Sequence, residues 1–201
     1  MRFYRKALFC CLLVSFNVQA DKNLPYQVPF GFELEWATLS DVRERFGDSD
    51  KFEIPDSHHE FGVCYTSTNS DEIVVFISGH EFGGTDQKLL GVTIQATNSE
   101  HFPCSASTLG SSDLFIGGLR LGLTPDQFGE LSTTDALSSE EGSLYFNLEY
   151  RRDLNADEKK VFEMRGFGDA TPDGIDVGLG IWSTFSDGHA IEVGVWQIST
   201  F

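Results

Sequence analysis

The chain has 201 residues and a formal net charge of -17, from 31 acidic and 14 basic residues. Such an acidic field disfavours binding to nucleic acid and to anionic lipid surfaces. With 40% hydrophobic residues and 18 phenylalanines, the composition predicts a folded protein rather than a disordered acidic tail.

The first 20 residues have the three regions of a secretory signal peptide. Arg2, Arg5 and Lys6 precede an apolar run over residues 7–16, and a V-x-A signal ends at Ala20. A membrane anchor is the alternative, but about 20 apolar residues are needed to span a bilayer. We therefore expect cleavage near Ala20 and a periplasmic or secreted protein with no stable membrane insertion. Cleavage would remove three basic residues and no acid, which changes the net charge to -20.

Two cysteines, Cys64 and Cys104, follow the leader. In an oxidising compartment an isolated pair predicts a disulfide. The alternative is a metal site that joins Cys64 to His101 and Cys104, and this set offers three ligands without a second recognisable pair. We predict the disulfide, with no metal and no cofactor.

Helix-capping patterns occur twice, each before a group of strand-like runs. Thr38 with Asp41 predicts a helix that ends at Gly47, and Thr124 with Gln127 predicts one that ends near residue 131. Strands are predicted at 61–67, 73–78 and 89–97 after the first helix. After the second, the prediction is a strand at 143–150, a helix at 155–164 and two long strands at 174–185 and 189–200.

This repeated order predicts an α+β fold. It would consist of two tandem helix-plus-antiparallel-sheet units that pack together with the helices on one sheet face. We place the first module, which carries the disulfide, at residues 21–112 and the second at residues 113–201.

The closing hairpin places aliphatic residues on one face and tryptophans with glycines on the other. A three-residue turn at 186–188 would pair Phe185 with His189 and align the two aliphatic rows. Trp182, Trp196 and Glu192 then share the opposite face. This face is either an exposed interaction surface, because tryptophan often dominates interface energetics, or a surface where the indole rings fill the glycine positions.

No pattern in the sequence selects a catalytic site. A nucleophile elbow and a phosphate-binding glycine loop are both missing, and neither His58 with His59 nor the acids Asp169, Asp173 and Asp176 match a known metal-loop spacing. We therefore predict a protein that is not an enzyme. A hydrolase with scattered carboxylates is the remaining catalytic alternative.

The stretch 119–128, Leu-Arg-Leu-Gly-Leu-Thr-Pro-Asp-Gln-Phe, resembles a known tandem module, together with the hairpin around Asp187 and Gly188. It is similar to the β-lactamase-inhibitor-protein-like family and the related small outer-membrane assembly lipoproteins. The resemblance implies a combined sheet with a polar, aromatic concave face for a protein partner, with Trp182 and Trp196 on that face. The chain differs from the family because it has no lipid-attachment cysteine and no cysteine in the second module.

Together these observations predict an exported, acidic protein-binding protein. We expect an inhibitor or immunity-type factor for a basic partner protein. An envelope structural or assembly accessory is the alternative, and in that case the acidic charge would serve only solubility.

Overall fold

Three short α-helices and nine strands are present in the computed structural model, which describes residues 24–54, 60–79, 88–131, 138–140, 142–164, 166 and 172–200. The predicted signal peptide lies outside the described residues. The helices are α1 (Leu39–Phe46), α2 (Pro125–Leu131) and α3 (Ala156–Met164). The strands are β1 (Phe52–Glu53), β2 (Phe61–Thr66), β3 (Ile73–Ser78), β4 (Leu89–Gln95), β5 (Cys104–Ala106), β6 (Ser138–Glu140), β7 (Ser143–Asp153), β8 (Gly174–Ser186) and β9 (His189–Thr200).

The predicted α+β fold class is wrong, because the structure is dominated by one antiparallel sheet. Its strand order is β1-β2-β3-β4-β9-β8-β7-β6, with β5 beside β2. The helices have only 8, 7 and 9 residues, whereas β7, β8 and β9 have 11, 13 and 12. Strand β4 pairs with β9 over five residues, so the backbone hydrogen bonds continue from one half of the chain to the other. The division at residue 112 stays a prediction.

Helices α1 and α2 begin at the capping residues that the sequence predicts. The Thr38 hydroxyl accepts a hydrogen bond from the Asp41 amide at 3.2 Å, and Asp41 accepts one in return from the Thr38 amide at 2.7 Å. Thr124 and Gln127 make the same reciprocal pair at the start of α2. These bonds satisfy amides that have no partner within the first helical turn, which fixes where each helix begins.

The turn of the closing hairpin differs from the prediction. Ser186 pairs with His189 across a two-residue turn, in which Asp187 and Gly188 have φ values of 50° and 79°. This is a tight type I′ geometry, which suits an Asp-Gly pair. A bulge beside Thr184 then shifts the register by one residue and restores the alignment of the aliphatic rows. Ile191 falls in the bulge and is 42% exposed, although it belongs to the aliphatic alternation of this strand.

All three helices pack against one face of the sheet, which we call the helix face. Phe46 of α1 contacts Tyr65 and Phe76, with ring centroids 5.6 and 5.7 Å apart. Phe128 of α2 lies 5.7 Å from Phe146 of β7, and Phe162 of α3 joins a smaller cluster at the far end of β8. The main apolar core therefore lies on this side.

The opposite face is covered only at one end within the described part of the chain. There Phe52 and Phe102 stack with centroids 4.8 Å apart, over a small core that contains Cys64, Ile73 and Val75. Across β4, β9, β8 and β7 no described helix packs on this face. No helix in the described ranges is long and apolar enough to cross a membrane.

Candidate interaction surface

The strand register brings the three predicted surface residues together. Trp182 pairs with Gly194 across the hairpin, Gly180 pairs with Trp196, and Thr184 pairs with Glu192. Directly paired residues of antiparallel strands project to the same side of a sheet. Trp182, Trp196 and Glu192 therefore share the face opposite the helices, which we call the tryptophan face. Its central members are Gly91, Thr93 and Gln95 of β4; Glu192, Gly194, Trp196 and Ile198 of β9; Asp176, Gly178, Gly180, Trp182 and Thr184 of β8; and Tyr145, Asn147, Glu149 and Arg151 of β7.

Each tryptophan ring lies over the glycine opposite it. A Cβ atom added to Gly180 would lie 2.0 Å from Nε1 of Trp196, and one added to Gly194 would lie 2.1 Å from Cζ2 of Trp182. Both distances are far below van der Waals contact, so the two rings occupy space that only glycine leaves free. The indole rings are thus held against the sheet, as the second of our two interpretations expected.

The two tryptophans differ in exposure. Trp182 lies in the middle of the face and is partly buried, whereas Trp196 is 36% exposed. Because packing on Gly180 fixes the ring of Trp196, its solvent-facing side is a rigid apolar surface. Packing over the glycines and exposure to a partner are therefore compatible for Trp196.

Acidic side chains outnumber basic ones on this face. Glu149, Asp176 and Glu192 are its carboxylates, and Arg151 is its only cation among the described residues. Arg151 is paired with Asp176 at 3.1 Å, with both side chains more than half exposed. Glu149 is exposed and has no described hydrogen-bond or ion-pair partner. The face as a whole therefore attracts positive charge.

The carboxyl of Glu192 lies in partly buried surroundings on this face. Burial raises the pKa of its carboxyl, and hydrogen bonding from Gln95, Thr184 and Trp182 acts in the opposite direction. The carboxylate of Glu100 raises the pKa further. The Gln95 amide donates to Glu192 at 3.4 Å, while its Oε1 atom is buried without a hydrogen-bond partner among the described residues. The folded surroundings of Glu192, which include Trp182, therefore favour the protonated carboxyl.

The sequence analysis does not assign four residues of β7 to the tryptophan face, although it predicts the strand itself. Tyr145, Asn147, Glu149 and Arg151 alternate with residues that point to the helix face. This period of two was visible in the sequence and could have placed them on one side of the strand. Only the pairing of β7 with β8 shows that this side is the tryptophan face.

The predicted disulfide between Cys64 and Cys104 is confirmed. The two cysteines are direct neighbours in the parallel pairing of β2 with β5, with their Cα atoms 4.4 Å apart. The alternative metal site with His101 is therefore wrong, because both thiolates are used by the bond. No group of three potential metal ligands occurs among the residues that the structure describes. His58, His59 and Asp169 lie outside those residues.

The geometry does not lead to a known relative. Comparison of the chain with protein-family models, with curated proteins and with solved structures gives no match. The resemblance to β-lactamase-inhibitor-protein-like modules stays an interpretation of the sequence.

Proposed function

We propose that the protein is an exported protein-binding protein that captures a basic partner protein, as an inhibitor or immunity-type factor, through the tryptophan face. The observation that carries this proposal is the exposed ring of Trp196, which is held on Gly180 at the centre of a sheet face without a described helix over it.

The fixed position of the ring favours tight binding. Tryptophan is enriched among the residues that dominate interface energies, and truncation of such a residue costs about 2 kcal/mol or more. A side chain that is already ordered loses little conformational entropy when a partner covers it. Trp196 therefore has the properties of an anchor for a partner surface.

The acidic charge selects the class of partner. A net charge of -17 over the whole chain attracts basic proteins at long range, and the exposed, unpaired carboxylate of Glu149 places negative charge on the same face as the anchor. Exposed charges of this kind accelerate association and are screened by salt. Binding to the partner should therefore weaken as ionic strength rises.

Affinity capture from envelope and culture extracts tests this proposal, with the captured proteins identified by mass spectrometry. The wild-type chain is compared with Trp196→Ala and with the matched control Trp36→Ala, because Trp36 is also 36% exposed but lies outside the tryptophan face. We expect a basic protein that wild type and Trp36→Ala retain and Trp196→Ala loses. Capture of the same neutral or acidic proteins by all three chains, at low and high salt, would contradict the proposal and favour an envelope assembly accessory.

Export is tested separately, by N-terminal sequencing of the protein recovered from its producing cells. We expect the mature chain to begin at Asp21 and to be found outside the cytoplasm. An uncleaved chain in the cytoplasm would contradict this part of the proposal.

A further inference from the structure

A shallow depression of 610 Å³ opens beside Trp196 on the tryptophan face. Trp196 and Ile198 of β9 line one side, and Glu149 and Arg151 of β7 line the other. Gly178 of β8 lies between them, and a Cβ atom added there would have no neighbour closer than 3.8 Å. The depression exists because β8 has no side chain at this point of the sheet.

The ring of Trp196 borders this depression along its length. Its Nε1 atom sits over Gly180, while Cζ3 and Cη2 reach the Gly178 position at 3.8 Å. The six-membered ring therefore points along β8 into the depression. An aromatic ring in this position offers a planar, electron-rich surface to a group that enters from solvent.

The charges around the depression leave one carboxylate uncompensated. Arg151 is neutralised by Asp176, since its Nη1 atom lies 3.1 and 3.3 Å from the two carboxylate oxygens. Glu149, on the same face of β7 two residues earlier, has no described partner. An aromatic ring and a free carboxylate on opposite sides of a depression are complementary to an organic cation.

We propose that this depression binds an arginine side chain of the partner protein. The planar guanidinium would stack on the indole of Trp196 and donate hydrogen bonds to the carboxylate of Glu149, and its methylene groups would contact Ile198. Lysine fits less well, because its ammonium is a compact and strongly hydrated charge that cannot stack. This inference rests on the proposed function, since it names the group by which a basic partner is recognised.

The test uses the whole mature chain and a short probe, the peptide acetyl-Gly-Arg-Gly-amide. Binding is followed by NMR through the indole N–H signal of Trp196, which is assigned by its loss in Trp196→Phe. The same peptide with citrulline instead of arginine is the control for shape, because citrulline is nearly isosteric but uncharged. Glu149→Gln removes the carboxylate, and Glu130→Gln, on the exposed side of α2, is the matched charge control.

We expect the arginine peptide to shift the Trp196 signal in a saturable way, and the citrulline peptide to leave it unchanged. Glu149→Gln should weaken the binding about two- to fivefold, which is the range for one exposed charge pair, and Glu130→Gln should have no such effect. The inference would be overturned if the arginine and citrulline peptides gave equal shifts, or if the two glutamine variants had equal effects. It would also be overturned if a neutral disaccharide shifted the signal and the arginine peptide did not.

The inference and the proposed function can fail independently. If Trp196→Ala loses the captured basic protein but the arginine peptide does not shift the Trp196 signal, the surface binds a protein by other contacts and only this inference fails. If the peptide binds and no basic protein is captured, the proposed function fails and the arginine site remains.

Discussion

Two glycines on neighbouring strands decide where the tryptophan rings lie. Trp182 covers Gly194 and Trp196 covers Gly180, so each ring replaces a side chain that the opposite strand lacks. The alternation of glycine and tryptophan was visible in the sequence, but the direct pairing depends on the register. A two-residue turn and a bulge at Thr184 together set that register. The predicted three-residue turn would also place both tryptophans on one face of the hairpin.

Substitution of Gly180 by alanine should displace the ring of Trp196. The new Cβ atom would overlap Nε1, and overpacking of this kind costs about 1–3 kcal/mol of unfolding free energy. The displaced indole becomes more hydrated, so tryptophan fluorescence should shift to the red in the folded variant. Urea denaturation followed by fluorescence measures both effects.

Gly129→Ala is the matched control for this substitution. Gly129 lies in α2, and a Cβ atom there would meet nothing within 4 Å. Alanine at a helical position is favoured over glycine by about 1 kcal/mol, so this variant should be as stable as wild type or slightly more stable. Equal destabilisation by both substitutions would contradict the packing of Trp196 on Gly180.

We expect ionisation of the Glu192 carboxyl to lower the free energy of unfolding. Burial raises its pKa in the folded state, with Glu100 as the charged neighbour, so the folded protein holds this proton more tightly than the unfolded chain. The contribution of the group to stability is therefore present at low pH and is lost as pH rises through the raised pKa. Glu192→Gln does not ionise, so its stability relative to wild type should be greater at about pH 7 than at about pH 4. Thermal unfolding measures this difference, and the same relative stability at both pH values would contradict it.

At the level of secondary structure, capping residues and apolar alternation predicted the major elements. The capping pairs at Thr38 and Thr124 specify their helices by local hydrogen bonds alone, so they can be recognised without the tertiary structure. The short strands β1, β5 and β6 were not predicted. Their 2, 3 and 3 residues are too short for a recognisable alternation, and they are strands only because a neighbouring strand pairs with them.

The disulfide holds one of these short strands in place. Cys104 joins β5 to Cys64 of β2 across a sequence separation of 40 residues. Closing a loop of this length restricts the unfolded chain, which in the chain-entropy model contributes about 4 kcal/mol. The double variant Cys64→Ala/Cys104→Ala should therefore unfold at a markedly lower urea concentration than wild type.

A reducing agent provides the control for this variant. It should lower the urea midpoint of the wild-type protein and leave the midpoint of the double variant unchanged. The disulfide would not contribute to stability as proposed if the reducing agent left the urea midpoint of the wild-type protein unchanged. The same conclusion would follow if the reducing agent lowered the midpoint of the double variant as much as that of wild type.

In the molecule as a whole, the sequence does not predict the order of the strands in the sheet. The pairing of β4 with β9 joins segments about 100 residues apart, and no local pattern selects it over two separate sheets. A similar long-range contact is made by Glu35, whose carboxylate accepts hydrogen bonds from the Ser199 amide at 2.6 Å and from Gln197 at 2.8 Å. Glu35 has a positive φ of 65° and gave no signal of this role in the sequence.

The continuous sheet also explains why the candidate surface is larger than predicted. The hairpin alone supplies Trp182, Trp196 and Glu192, but pairing with β7 and β4 adds Glu149 and Gln95 to the same face. The strand register puts these three residues on one face, and their role in binding a partner stays a prediction. The contribution of Glu149 to the charge of this surface can be assigned only from the strand order.

The most direct test is the dissociation constant of the captured basic partner, measured by isothermal titration calorimetry with wild type, Trp196→Ala and Trp36→Ala at about 0.1 M and about 1 M salt. If the tryptophan face is the binding surface, Trp196→Ala should weaken binding at least about 30-fold, a loss of about 2 kcal/mol, while Trp36→Ala binds like wild type. Higher salt should weaken wild-type binding. Equal affinities of the two tryptophan variants, with no effect of salt, would show that the protein binds its partner elsewhere or not through charge.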